Sequence, residues 1–238
     1  MSFADRVNQF NAELVYKGKK LPKGIRIMNP FRETPAALDM SNSFYKKYYE
    51  DDRPRNLILG INPGRFGAGL TGIPFTDPKR LVSVCAIPYD GKLAHEPSSV
   101  FVYDVIHAFG GPDAFYRDFY INSICPLGFT KTGEKGREKN YNYYDSKELS
   151  DAVQPFIIDN IQKQIALGVR TGICICFGTG KNEAFLRKVN DEYGFFHHIL
   201  ALEHPRFIMQ YKSASKQFYI DKYVNTFDQL VNYSSTDL

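Results

Sequence analysis

An α/β fold, with a mostly parallel central sheet flanked by helices, is what this sequence predicts, and three observations predict it. Four short apolar runs, at residues 57–61, 119–124, 173–177 and 199–202, each end in a small or polar loop, as buried strands do. Helical patterns lie between them, notably 150–167, stopped by Gly168, and 181–190, opened by Gly178-Thr179-Gly180. Strands alternating with helices of this length imply βαβ crossovers, so the carboxyl ends of the strands share one edge of the sheet.

The elements follow in order. Phe3, Val7, Phe10 and Leu14 recur at helical steps, which predicts an amphipathic helix over 2–16 closed by Gly18 and Pro22. After a proline-punctuated connector, a second helix is predicted over 36–50, ended by Asp51-Asp52-Arg53-Pro54. Residues 1–50 are thus expected to form a helical extension packed on the sheet edge. At 238 residues and 43% hydrophobic content, the chain is expected to be a single domain over 1–238. Aromatic residues at 15% argue against disorder, although the tail 234–238 is expected to fray. Residues 130–144 read as a long polar loop that interleaves Lys131, Lys135, Arg137 and Lys139 with Tyr141, Tyr143 and Tyr144. Such a loop suits nucleic-acid contact, or else a solvated loop with its tyrosines packed back on the domain; the pattern leaves both open.

Charge and cysteines bound the function. A formal net charge of +4 permits a polyanionic partner without requiring one. Cys85, Cys125, Cys174 and Cys176 lack the spacing of zinc sites, and the last two alternate within an apolar run, so reduced core residues and no metal are expected. No leader-like opening and no apolar run of membrane-spanning length occur, which predicts no membrane association and a cytoplasmic address.

The segment Gly60-Ile61-Asn62-Pro63-Gly64-Arg65-Phe66-Gly67, continued by Thr71-Gly72-Ile73-Pro74-Phe75, opens where the first strand ends. Its glycines allow close approach of a ligand, Asn62 offers a donor and an acceptor, and Phe75 offers a flat apolar face. That set suits a planar, polar heterocycle, though a glycine-rich turn alone also fits an ordinary strand-to-helix connection. Glu203-His204-Pro205-Arg206 follows the last strand, placing His204, held by Pro205, to donate to a ligand oxygen. Asn122 and Ser123 alternate faces, so only one of them can enter a site, and spacing does not choose between them.

Together these motifs resemble the uracil-DNA glycosylase superfamily, most closely the single-strand-selective monofunctional uracil-DNA glycosylases. The segment from Gly60 to Gly67 with Thr71 to Phe75 looks like that family's first motif, Cys125-Pro126-Leu127 also matches, and His204-Pro205 falls where its second motif begins. The resemblance implies a three-layer glycosylase fold and a monofunctional enzyme that hydrolyses the N-glycosidic bond of uracil in DNA, starting base excision repair. It assigns Asn62 to the attacking water and His204 to the departing base. Base binding falls to the Ile61 backbone, Gly64, Phe75 and Ser123, and DNA contact to Arg206, Phe207, Lys212 and Lys216. Gly64 stands where related enzymes place a tyrosine against a 5-substituent, which implies room for oxidised uracils. Ser123 stands where the family has a uracil-reading asparagine, which admits xanthine or hypoxanthine. Arg206 and Phe207 replace the family's serine and proline. No cofactor is implied; single- and double-stranded DNA is the expected partner of a monomer. Two other readings stay open: a nucleotide-binding enzyme using Gly178-Thr179-Gly180, and a catalytically silent binder of DNA lesions.

Overall fold

The computed structural model describes residues 1–133 and 136–236. Lys135 of the cationic run and the last two residues of the tail lie outside the described residues.

A capping box starts α1 (Phe3–Glu13): the Ser2 hydroxyl accepts from Asp5 N–H, and the Asp5 carboxylate accepts from Ser2 N–H. The helix stops three residues short of the expected end. The stretch read as a connector contains a strand, β1 (Ile25–Met28), then the short α2 (Pro30–Glu33) and α3 (Pro35–Tyr49), the second predicted helix. Phe3 stacks on Tyr49 at 5.6 Å and meets Tyr120 edge-on at 5.2 Å. The buried Arg55 guanidinium lies 5.1 Å from both the Phe3 and Tyr49 rings and pairs with Asp51. The first 50 residues are therefore built into the core, and with β1 they are not wholly helical.

The chain continues through β2 (Asn56–Gly60), α4 (Ala68–Thr71), α5 (Pro78–Ser83), α6 (Pro97–Ala108), α7 (Pro112–Asp118), β3 (Phe119–Ser123), β4 (Gly128–Thr132) and β5 (Glu138–Tyr141). It ends with α8 (Lys147–Ala166), β6 (Arg170–Phe177), α9 (Lys181–Tyr193), β7 (His198–Leu202), α10 (Pro205–Tyr211) and α11 (Lys216–Thr236), the last reaching into the tail expected to fray. Six of these helices carry proline at their first position, where its missing N–H is not needed and its fixed φ suits the turn.

The central sheet is wholly parallel, in the order β3-β2-β6-β7. Every residue of β2 and β3 is buried, as expected for strands covered on both faces. Gly60 pairs with Ser123, Leu59 with Cys176, and Phe177 with Leu202, so the strands end level and release their following loops along one edge. Cys85, Cys125, Cys174 and Cys176 are buried and not disulfide-bonded.

The polar loop expected over 130–144 is mostly not a loop. β4 and β5 pair antiparallel, and β4 pairs on its other side with β1, in a second, three-stranded sheet. The register explains why the sequence carries no strand signal here: Phe129 faces Tyr141, but Lys131 faces Lys139 and Thr132 faces Glu138, so one apolar pair sits among polar ones. Lys131 lies 5.0 Å from the Tyr141 ring. Tyr143 packs back into the core and donates its hydroxyl to Asn182 Oδ1 at 2.8 Å.

Candidate active site

At the carboxyl edge of the parallel sheet lies a cavity of about 100 Å³, bordered by Ile61, Asn62, Gly64, Phe75, Ser123, His204 and Arg206. A single water needs roughly 10–15 Å³ of such space, so the cavity has room for several waters or one small ring. Seven of the residues singled out in the sequence thus meet at one place. Phe207 and Lys212 lie instead on the exposed surface of the α10 region, and Lys216 is ion-paired with Asp104 at 2.8 Å. The Gly178-Thr179-Gly180 turn does not border the cavity.

Asn62 is held from three sides. Its Oδ1 accepts from Tyr143 N–H at 3.1 Å, while its Nδ2 donates to Tyr141 O at 3.3 Å and Pro63 O at 3.4 Å. The stretch that the sequence presented as a surface loop therefore orients the amide. Asn140 Oδ1 accepts from Arg65 N–H at 3.1 Å, tying the glycine-rich segment to β5. At Gly128 a Cβ would come within 2.6 Å of Pro63 O, so only glycine lets β4 lie this close to the segment.

Phe75 adopts φ +53°, a left-handed conformation unfavourable for a bulky side chain. Its surroundings sustain it. Thr71 Oγ1 donates to Thr76 O at 2.7 Å and accepts from Ile73 N–H at 3.1 Å, and Thr76 Oγ1 meets the buried Tyr103 hydroxyl at 3.0 Å. The ring so aimed lies over Gly60, 5.5 Å from Phe177 and 5.7 Å from His204.

His204 caps α10: its Nδ1 accepts from Arg206 N–H at 3.1 Å. An accepting Nδ1 carries no proton, so the neutral ring holds its hydrogen on Nε2. Burial, reinforced by the Arg206 charge, pushes the imidazole pKa down to about 4, which keeps it neutral at pH 7. The preceding residue is anchored by α11, where the Tyr223 hydroxyl donates to Glu203 O and Lys222 pairs with the Glu203 carboxylate at 2.9 Å.

Between Asn122 and Ser123 the structure chooses Ser123. Asn122 turns away, donating to the Tyr120 hydroxyl at 2.7 Å and accepting from Ser123 N–H at 2.8 Å. Ser123 borders the cavity, and its carbonyl accepts from the buried Gln164 at 3.3 Å.

Four polar lining residues are not indicated by the sequence: Glu96, Ser98, Asn140 and Asn142. The asparagines were hidden in the polar stretch around β5. Glu96 precedes Pro97, a helix-start signal that would have placed it at the N-cap of α6. Its carboxyl lies over Gly64 and Gly67, and burial, with Asp77 beside it and Arg206 opposing, pushes its pKa up to about 7.

The profile of the uracil DNA glycosylase superfamily matches residues 46–228. A crystal structure of wild-type SMUG2 from Pedobacter heparinus shares 66% identity, covering 98% of this chain and 99% of that one, with a TM-score of 0.96. No curated protein matches the sequence.

Proposed function

As a member of the uracil DNA glycosylase superfamily, this chain, we propose, hydrolyses the N-glycosidic bond of uracil in DNA and leaves an abasic site. The observation that carries the reading is the meeting of Asn62 and His204, far apart in the sequence, at one cavity beside an upturned aromatic ring.

A base within a duplex is out of reach, so the nucleotide must swing out of the stack, at a cost of a few kcal/mol that is lower in mismatched or single-stranded DNA. Stacking on Phe75 returns roughly 1–3 kcal/mol of that. Arg206, Lys212 and Lys216 supply phosphate contacts, and the exposed pair Phe207 and Tyr211, 5.5 Å apart, supplies rings to fill the gap in the stack. Both single- and double-stranded DNA are substrates on this reading, and one chain suffices as a monomer.

Breaking the bond to uracil leaves positive charge on the sugar and negative charge on the base. The neutral His204 places Nε2–H as a fixed donor to the base oxygen where that charge grows. Asn62 is an amide and cannot serve as a strong base; with Nδ2 engaged and one lone pair of Oδ1 taken by Tyr143 N–H, it offers the second lone pair of Oδ1 to orient the attacking water. Leaving-group stabilisation is therefore the larger effect. Among the described residues no lysine borders the cavity, which supports hydrolysis without a Schiff base and hence without lyase activity. Gly64 brings no side chain of its own to the ring edge that carries position 5, so the polar 5-substituent of an oxidised uracil would face the Glu96 carboxyl there, and the short Ser123 relaxes reading of the opposite edge.

Incubation with labelled uracil-containing DNA, followed by alkali, should yield strand breaks at the uracil, and borohydride should trap no adduct. A shifted band without breaks would make the protein a binder only.

A further inference from the structure

Glu96 stands at the N-cap of α6, yet its side chain makes no capping bond, whereas N-cap positions favour short side chains that do. Its backbone is pinned instead, by Glu96 N–H donating to Asp77 Oδ2 at 2.8 Å. The freed carboxyl reaches over the glycine-rich segment: a Cβ on Gly64 would sit 2.8 Å from Glu96 Oε1, and one on Gly67 would overlap Glu96 Oε2. Asn140 Nδ2 comes to the same spot, 3.5 Å from that Gly64 position. A carboxyl thus occupies the room these glycines leave, and it is the only one bordering the cavity among the described residues.

We propose that Glu96 is a second catalytic residue of this site, an acid that protonates N7 of a deaminated purine and so opens a leaving-group route separate from that of His204. The inference rests on the orientation of the base given above, with Gly64 at the edge carrying position 5. A purine bound through N9 as uracil is through N1 brings N7 close to the place of uracil C5, which is the edge Glu96 faces. The carboxyl proton passes to N7, the C1′–N9 bond breaks with its electron pair going to the imidazole ring, and the base departs neutral. Water held by Asn62 adds to C1′, and its proton restores the Glu96 carboxyl. Uracil has no nitrogen at that position and leaves as the anion stabilised by His204.

The charges around Glu96 suit an acid active near neutral pH. Asp77, at the start of α5, holds its proton on; Arg206 on α10 opposes, and the neutral His204 shares the cavity. Arg80 lies one step further out, paired with Asp77 at 3.0 Å and touching His95 Nδ1 at 3.2 Å.

The test compares single-turnover excision of hypoxanthine, 7-deazahypoxanthine and uracil in one DNA context from pH 5.5 to 9. For the native protein, the hypoxanthine rate should fall above about pH 7 with a limb that uracil does not share, and the 7-deaza base should be excised 100-fold or more slowly. Glu96→Gln should lower the hypoxanthine-to-uracil rate ratio at least tenfold, abolish the limb, and add nothing to the 7-deaza defect. Gly67→Ala, which displaces the carboxyl without changing its chemistry, should lower the same ratio. Equal losses on both bases, or a limb surviving in Glu96→Gln, would overturn the assignment. A native protein that excises uracil but not hypoxanthine would overturn it while leaving the proposed function intact; one that excises neither would remove both.

Discussion

Two helices begin at the cavity with the same local design, a titratable residue followed by proline, and they use it in opposite ways. At His204-Pro205 the side chain caps its own helix through Nδ1, which fixes the ring and turns Nε2–H outward. At Glu96-Pro97 the helix goes uncapped by the side chain, and the carboxyl lies across the cavity wall. Burial then drives the two groups toward neutrality from opposite sides, the imidazole down to about 4 and the carboxyl up to about 7. One start yields a neutral donor with no proton to lose at pH 7; the other yields an acid poised to lose one. Titratable neighbours whose environments set their roles apart in this way mark the acid and base assignments of a site.

The sharpest way to break the comparison is to separate the two jobs of His204. In His204→Asn a side-chain oxygen can still cap α10, but no ring nitrogen reaches the base. Uracil excision should drop roughly 100- to 1,000-fold, as on removing one preorganised donor, with the melting temperature nearly unchanged. Single-turnover rates and thermal melts decide it, and an active His204→Asn would show that only the cap matters.

How far the sequence exposes such roles depends on what signals them. The parallel strands were legible because burial on both faces leaves continuous apolar runs, and Asn62, Phe75 and His204 because they follow those runs in recognisable order. The antiparallel sheet was not, since β4 and β5 show one apolar pair and otherwise polar faces. The same polar faces conceal what orients Asn62, because Tyr141 O and Tyr143 N–H come from this stretch. Alternation showed that only one of Asn122 and Ser123 could face the ligand; the hydrogen bonds of Asn122 to Tyr120 and Ser123 N–H were needed to say which. Glu96 lacked any apolar periodicity of its own, and only the proline after it hinted at a helix start.

Stability measures the Glu96 side of the comparison. Its folded pKa is raised, so the folded state keeps a proton that the unfolded chain releases above about 4.5, and the advantage of keeping it fades as pH rises through about 7. At pH 8 the folded protein carries a partly buried carboxylate at a cost on the order of 1–3 kcal/mol after solvent screening, which Glu96→Gln removes. The variant should therefore gain stability at pH 8 and much less at pH 5, checked by denaturant titrations at both. An equal gain at the two values would mean the carboxyl is not perturbed by folding.

A smaller change tests the edge facing away from Glu96. Ser123→Asn adds a larger side chain with a fixed donor and acceptor where Ser123 now borders the cavity. The expected effect is on choice of base more than on rate: excision of hypoxanthine relative to uracil should fall about tenfold, in line with the 1–3 kcal/mol that pocket-size changes usually command. An unchanged ratio would mean that Ser123 does not limit which bases enter.

The finest test acts on both helix starts at once. The Arg206 charge helps hold the His204 pKa down and opposes the rise of the Glu96 pKa, so its removal should move both upward. In Arg206→Ala the acid limb of uracil excision, set by protonation of His204, should begin at higher pH, because the imidazolium then forms more readily. The alkaline limb of hypoxanthine excision, set by loss of the Glu96 proton, should also shift up. Arg206 is exposed, so solvent screens its charge and each displacement should be only a few tenths of a pH unit, smaller still at high salt. Paired pH profiles on the two bases read it directly. Movement of the two limbs in opposite directions could not come from one lost positive charge, and would show that the residues are coupled through the shape of α10 rather than through its field.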